Sequence, residues 1–259
     1  MDSIHAVYGI DVALSVAIRG TEGATMENKS FRLSPRTIVN SNNSQTFKSL
    51  ANQLSEIGVR CGTNIIPYSH ESVPLFNDKS DSEQNLIIEN LRDYLHICEN
   101  TLDRGYSPKT DGQLLWSALR RFNLRPTSDL FQYIGSGNVI EIHTAEAIQI
   151  FRNFGFFELC SYSLEDLYCR PWSDLYQRDK DIEKQLIGCT MQMFSGKVNS
   201  TVRLNVERHT ITETTSPRRL SIQADLNYGA PLFSGHSGEA IATIVIEDAK
   251  LISAEGSLR

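Results

Sequence analysis

Six histidines (His5, His70, His96, His143, His209, His236) and five cysteines (Cys61, Cys98, Cys160, Cys169, Cys189) are the side chains best suited to hold a metal or attack a substrate. Metal sites and nucleophile pairs need such residues at short, fixed spacings, so that one turn or helix face presents two of them together. No C-x-x-C, no H-E-x-x-H and no zinc-finger spacing occurs, so neither a metal site nor a catalytic residue is expected. The phosphate loops G-x-G-x-x-G and G-x-x-x-x-G-K-(S/T) and the G-x-S-x-G elbow are absent as well. Ser234-Gly235-His236-Ser237-Gly238 reads as a loop, and Arg218-Arg219, after Pro217, as a solvated turn. A redox role for Cys160 or Cys169 would need an accessible, electropositive setting, which spacing alone does not supply.

The chain has 259 residues and is 40% hydrophobic, enough for one large domain or two modest ones. Its net charge of −6 gives no electrostatic basis for nucleic-acid binding. No run approaches the roughly 20 apolar residues of a membrane span. Met1-Asp2-Ser3-Ile4-His5 lacks the basic start and apolar core of a signal peptide. The odd number of cysteines argues against a secreted disulfide framework. The expected setting is the cytoplasm, with no membrane association.

The elements that must position any site follow from periodicity. Val7 to Ile18 alternates and predicts a strand, and residues 19–46 read as loop-rich. Phe47, Leu50, Leu54 and Ile57 predict a helix over Thr46 to Ile57 with Gly58 as its C-cap, and Val59 to Tyr68 predicts a second strand ended by Pro67. A small α/β unit over 1–78 is therefore expected. Ser82 to Leu102 carries one apolar stripe, Ile87, Leu91, Tyr94, Cys98 and Leu102, either a seam between two copies or a helix packed on its own domain. A second helix from Asp111, with Leu114, Leu115, Leu119 and Phe122 inward, completes a helical connector over 79–134. Beyond the Gly135–Asn138 turn, Val139 to His143 and Ala147 to Phe157 predict two strands. Asp181 to Phe194 predicts a helix with the stripe Ile182, Leu186, Cys189 and Met193, closed near Gly196. Three alternating strands follow, over Thr201 to Thr215, Leu220 to Asn227 and Glu239 to Ile252.

Between strands and helix lies FRNFGFFELCSYSLEDLYCRPWSDLYQ, residues 151–177. Ser163 can cap a short helix, with Asp166 returning the bond as a capping box, and Pro171 stops that helix at Arg170. Trp172 and Leu175 follow as apolar anchors. The run Phe157 to Leu167, an apolar end, a Tyr162-Ser163 turn and a Glu165-Asp166-Leu167 helix, resembles the first half of a PAS sensory domain, as does Arg170-Pro171-Trp172-Ser173-Asp174-Leu175. Ser161 and Cys169 stand where that family usually has glycine. The order of elements over residues 138–252 (two strands, short helices, a longer helix, three strands) is also similar.

The resemblance implies an α+β chain whose C-terminal part, 135–259, is a PAS-like five-stranded antiparallel sheet with short helices. It implies a cavity between the sheet and the Asp181–Phe194 helix, lined by Ile142, Phe154, Phe156, Ile187, Met191, Leu204, Leu226 and Ile244 or their strand neighbours. These are apolar with few polar groups to orient a ligand, so the expectation is a cavity the chain fills itself and signalling by contact. No cofactor is expected. Trp172 takes the place of the cysteine that flavin-binding relatives use, and Cys169 stands three residues too early. The Asp181–Phe194 helix has no histidine for haem iron, leaving only Cys189, Met191 and Met193, which suit a core better. The expected function is a sensory or regulatory protein acting by ligand sensing or protein contact, without catalytic output. Its expected partners are a second copy, through the Ile87–Leu102 stripe, and a signalling protein. Two other classes remain: an enzyme seated in the N-terminal α/β unit, and a DNA-binding regulator, which the charge disfavours.

Overall fold

The computed structural model describes residues 41–145, 148–216 and 218–254, and the strand predicted over Val7 to Ile18 lies outside them. The fold is mixed helix and sheet, built on one strongly curled antiparallel sheet. Helices α1 (Ser41–Arg60), α2 (Pro74–Asn77), α3 (Asp81–Asp103) and α4 (Asp111–Arg121) come first. Strands β1 (Leu124–Arg125), β2 (Val139–Thr144) and β3 (Gln149–Arg152) follow, with a 3-10 turn at Leu130–Gln132 between the first two. Helices α5 (Phe154–Glu158), α6 (Leu164–Cys169) and α7 (Trp172–Leu175), the short β4 (Tyr176–Gln177) and α8 (Lys180–Phe194) lead into β5 (Val202–Arg203), β6 (His209–Glu213), β7 (Leu220–Ser234) and β8 (Ala240–Ala254). The strand path is β3-β2-β8-β7-β6-β4, with β1 and β5 also paired to β7.

Several expected elements form for the expected reasons. Phe47, Leu50, Ala51, Leu54 and Ile57 bury one face of α1. Ser163 and Asp166 make the capping box of α6, and Arg170, before Pro171, turns extended and ends it. Gly196, at φ +72°, follows α8 in the left-handed conformation that glycine tolerates best. The strand predicted over Val59 to Tyr68 does not form. Helix α1 runs through Gly58 to Arg60, and a Cβ on Gly58 would sit 2.8 Å from Thr63 O, where the chain doubles back. The carbonyls of Ile66 and Pro67 accept from the Leu164 and Glu165 amides at the start of α6 (2.8 and 3.3 Å), so this backbone is satisfied by a helix end and needs no strand partner.

The second predicted strand, Ala147 to Phe157, is cut to four residues, because Asn153 accepts from the Phe156 amide and caps α5. The strand predicted over Thr201 to Thr215 divides into β5 and β6, while β7 extends seven residues beyond the predicted Asn227 end. Three register shifts punctuate the β7–β8 pairing. Such bulges increase local twist, which accounts for the curl.

The two faces of the sheet carry different cores. Ile140, Ile142, Ile244 and Ile246 join the α1–α4 layer in one apolar cluster, and Tyr94 of α3 donates from its hydroxyl to Arg152 O of β3 at 2.6 Å. That cluster runs from Phe47 to Ile246 across both boundaries expected at 78 and 134, which therefore mark no break in the core. On the other face Ile182 and Met193 of α8 meet Leu204, Val206 and Leu226 in a smaller cluster, with Val245 against it.

Candidate functional site

Alternation along β2 decides which residues reach the site. Ile140 and Ile142 point towards the α1–α4 layer, so Val139, Glu141 and His143 occupy the opposite face, where His143 lies across from α8. Their neighbours on β8 are Glu247, Val245 and Thr243. A register shift in the β2–β3 pairing falls between Ile142 and His143, a bulge at the edge of the site.

A cavity of about 440 Å³ lies between this face and α8, lined by His143, Thr144, Ala145, Thr243, Val245, Trp172, the α8 residues Ile187, Thr190, Met191 and Phe194, and Ser195 just after them. Met191 is 54% exposed. Trp172 also borders a second, small pocket of about 20 Å³, shared with Glu141, Glu247, Arg178, Tyr176 and Phe156. The Arg178 guanidinium lies 5.7 Å from the Trp172 ring centre.

Beneath the cavity sits a cluster of ionisable groups. His143 Nε2 is 3.2 Å from Glu141 Oε2. Burial works against the charge on Glu141, but the bond to His143 and the electrostatic pull of His143, Arg152 and Arg178 outweigh it and hold the carboxyl below the usual range. Glu247 goes the other way: burial and then the charge of Glu141 push its carboxyl up to about 8, with Arg178 opposing. Two carboxyls on one sheet face thus have opposite preferences at neutral pH. Arg152, 2% exposed on β3, stacks over Phe156 and Tyr168 at 5.3 and 5.0 Å.

Of the eight residues expected to line a cavity, Ile187 and Met191 do so. Phe156 borders the small pocket. Leu204 and Leu226 lie in the apolar cluster under α8, and Ile142, Phe154 and Ile244 in the large core on the other face. For Ile142 and Ile244 it is the strand neighbours that reach the cavity, because one residue of strand parity moves a side chain to the opposite face. Their neighbours His143, Thr243 and Val245 take their places. The expectation of a self-filled interior is also corrected, because open space lies beside Met191. The signal for the missed residues was single acids inside apolar strands, Glu141 between Ile140 and Ile142 and Glu247 after Ile246.

The stripe expected to face a second copy is turned inward. Ile87, Leu91, Tyr94 and Cys98 are buried and Leu102 packs partly buried against the same cluster, so this chain's own core covers the row. Burial raises the thiols of Cys160 and Cys169 to about 12, and that of Cys98 further, which disfavours the thiolate form in each. Among the described residues no group of three or more His, Cys, Asp or Glu is placed to hold a metal, and no helix is long and apolar enough to cross a membrane.

Trp172, expected as a core anchor, is half-buried and walls both spaces, with its ring edge-on to Tyr176 at 4.3 Å. Trp172→Ala should accordingly cost about 1–2 kcal/mol in urea unfolding rather than the 3–5 of a fully packed indole. A loss of about 4 kcal/mol or more would return the ring to the core. Comparison with protein-family models and with curated proteins finds no match for this chain.

Proposed function

We propose that this chain is a sensory or regulatory module of the PAS type, which takes a small molecule between α8 and the sheet and passes the signal by contact, without catalysis. The observation that carries the reading is the cavity of about 440 Å³ beside Met191. Its volume falls within the roughly 300–1,000 Å³ of small-molecule sites, and it has the composition of one, an apolar wall with a few polar groups. The chain order supports the family: β2 and β3, a helical crossing from α5 to α8, then β6, β7 and β8. Contact signalling follows from the elements that frame the cavity. Occupancy would act directly on α8, whose outer face is open to solvent, and on β8.

Native mass spectrometry of the purified protein is the direct test. The wild-type protein should carry a small-molecule adduct that denaturation releases. Ile187→Trp, which places an indole in the open space, should remove the adduct and leave the melting temperature within about 3 °C, since the added ring fills a void rather than displacing packed neighbours. A bare mass for the wild-type chain, together with no thermal shift from any member of a small-molecule library, would refute ligand sensing.

A further inference from the structure

We propose that the ligand of this cavity is an uncharged, largely apolar molecule that presents a hydroxyl or N–H donor to His143 and Thr243, and that carboxylates and phosphates are rejected. This rests on the reading that the cavity binds a small molecule, and it deepens that reading from shape to chemistry.

The polar side of the cavity fixes the donor. A carboxylate can only accept, so the hydrogen between His143 Nε2 and Glu141 Oε2 belongs to the imidazole. In the neutral ring Nδ1 is then an acceptor, and it makes no hydrogen bond among the described residues. Thr243 is only 2% exposed yet lines the cavity, and its hydroxyl has no partner among the described residues. A hydroxyl that opens only onto the cavity is placed to bond whatever occupies it. Thr190, half-buried on α8, lines the cavity on the opposite side and adds a second hydroxyl. A ligand O–H can therefore donate to His143 and accept from Thr243 together, whereas an ether or hydrocarbon satisfies less.

The charges fix the refusal of anions. No lysine or arginine lines the cavity. From β2 the site is faced by Glu141 and His143, from β8 by Glu247, from β3 by Arg152, and from the segment after β4 by Arg178. The two arginines act on Glu141, and Arg178 lies with Glu141 and Glu247 in the small pocket that Trp172 borders. An imidazolium at His143 would already be neutralised by Glu141. An anion in the cavity would lose its water near the Glu141 carboxylate behind His143 and gain no cation among the residues that line it. The remaining wall, Trp172, Ile187, Met191, Phe194 and Val245, favours a flat apolar body.

Three probes of nearly equal size separate these features: 2-naphthol, 2-methoxynaphthalene and 2-naphthoate, titrated calorimetrically at neutral pH into the full chain. Naphthol should bind tightest, methoxynaphthalene about tenfold weaker for the lost donor, and naphthoate weaker still. Thr243→Val, which keeps the shape of the side chain, and His143→Gln should each bring the naphthol-to-methoxynaphthalene ratio towards one, and Ile187→Trp should abolish binding of all three. Naphthoate binding as tightly as naphthol, still blocked by Ile187→Trp, would overturn the ligand class and leave the cavity reading standing. Binding that Ile187→Trp does not affect, or no binding of any probe to the wild-type chain, would overturn both.

Discussion

Asn153→Ala is expected to destabilise the protein by about 2–4 kcal/mol, enough to lower its melting temperature by roughly 10 °C. Asn153 is fully buried and uses its amide in both directions. Its Oδ1 accepts from the amides of Ile140 and Phe156 at 3.0 and 3.3 Å, and its Nδ2 donates to Asp111 Oδ1 and to Asn138 O, each at 2.7 Å. One side chain thus caps α5, holds β2 and anchors the start of α4. Alanine would remove the cap, worth about 1 kcal/mol, and strand the buried Ile140 amide, worth about 1–3 more. Asn153→Asp keeps the cap oxygen but sets a second carboxyl against Asp111, whose own carboxyl burial already holds above the usual range. That variant should recover part of its lost stability as the pH falls and one of the pair takes a proton. A loss below about 1 kcal/mol for the alanine variant in urea unfolding would show that water or neighbouring groups replace these bonds.

Glu247→Gln should stabilise the protein increasingly as the pH rises. In the folded chain the Glu247 carboxyl titrates at about 8 against an ordinary 4.5. Between those values the folded state holds a proton that the unfolded state has released, so the stability of the wild-type protein falls with rising pH, by about 1.4 kcal/mol per unit from this group alone. The contribution is fully present below the unfolded value and lost as the pH climbs through the folded one. Glutamine does not titrate and resembles the protonated acid, so the variant and the wild-type protein should match near pH 4 and diverge by a few kcal/mol by pH 8. Glu141 has the opposite sign. Its carboxyl is held low, so its contribution is present above the ordinary carboxylate range and lost only as the pH falls through the folded value. Glu141→Gln would remove the negative charge that helps raise Glu247, and should shift the wild-type decline to lower pH. Parallel stability curves for the wild-type protein and Glu247→Gln between pH 5 and 8 would mean that Glu247 is solvated in solution.

Periodicity and local chemistry in the chain determined where most of its helices and its two long strands lie. The three-and-four spacing of Phe47, Leu50, Leu54 and Ile57 is enough for α1, and the row from Ile87 to Leu102 enough for α3. Ser163 with Asp166, and Pro171 after them, fix both ends of α6, because caps act within one turn and need no tertiary partner. Alternation along Leu220 to Asn227 and Glu239 to Ile252 suffices for the two long strands, although not for their length.

What covers each apolar face is a tertiary matter. The stripe on α3 reads equally as a seam for a second copy and as a core face, since periodicity reports that a face is apolar and not what lies on it. Here α1 and the sheet cover it. The segment from Val59 to Tyr68 is apolar enough for a strand, but its carbonyls at Ile66 and Pro67 are claimed by the α6 amides almost a hundred residues on. The site depended on the same kind of decision. Both faces of β2 carry apolar residues, so alternation alone did not say whether Ile142 or His143 would face α8. Isoleucines on one face met the helical layer, and that left the histidine and the buried threonine of the neighbouring strand facing an open cavity, because a strand cannot turn one side chain inward without turning the next one out.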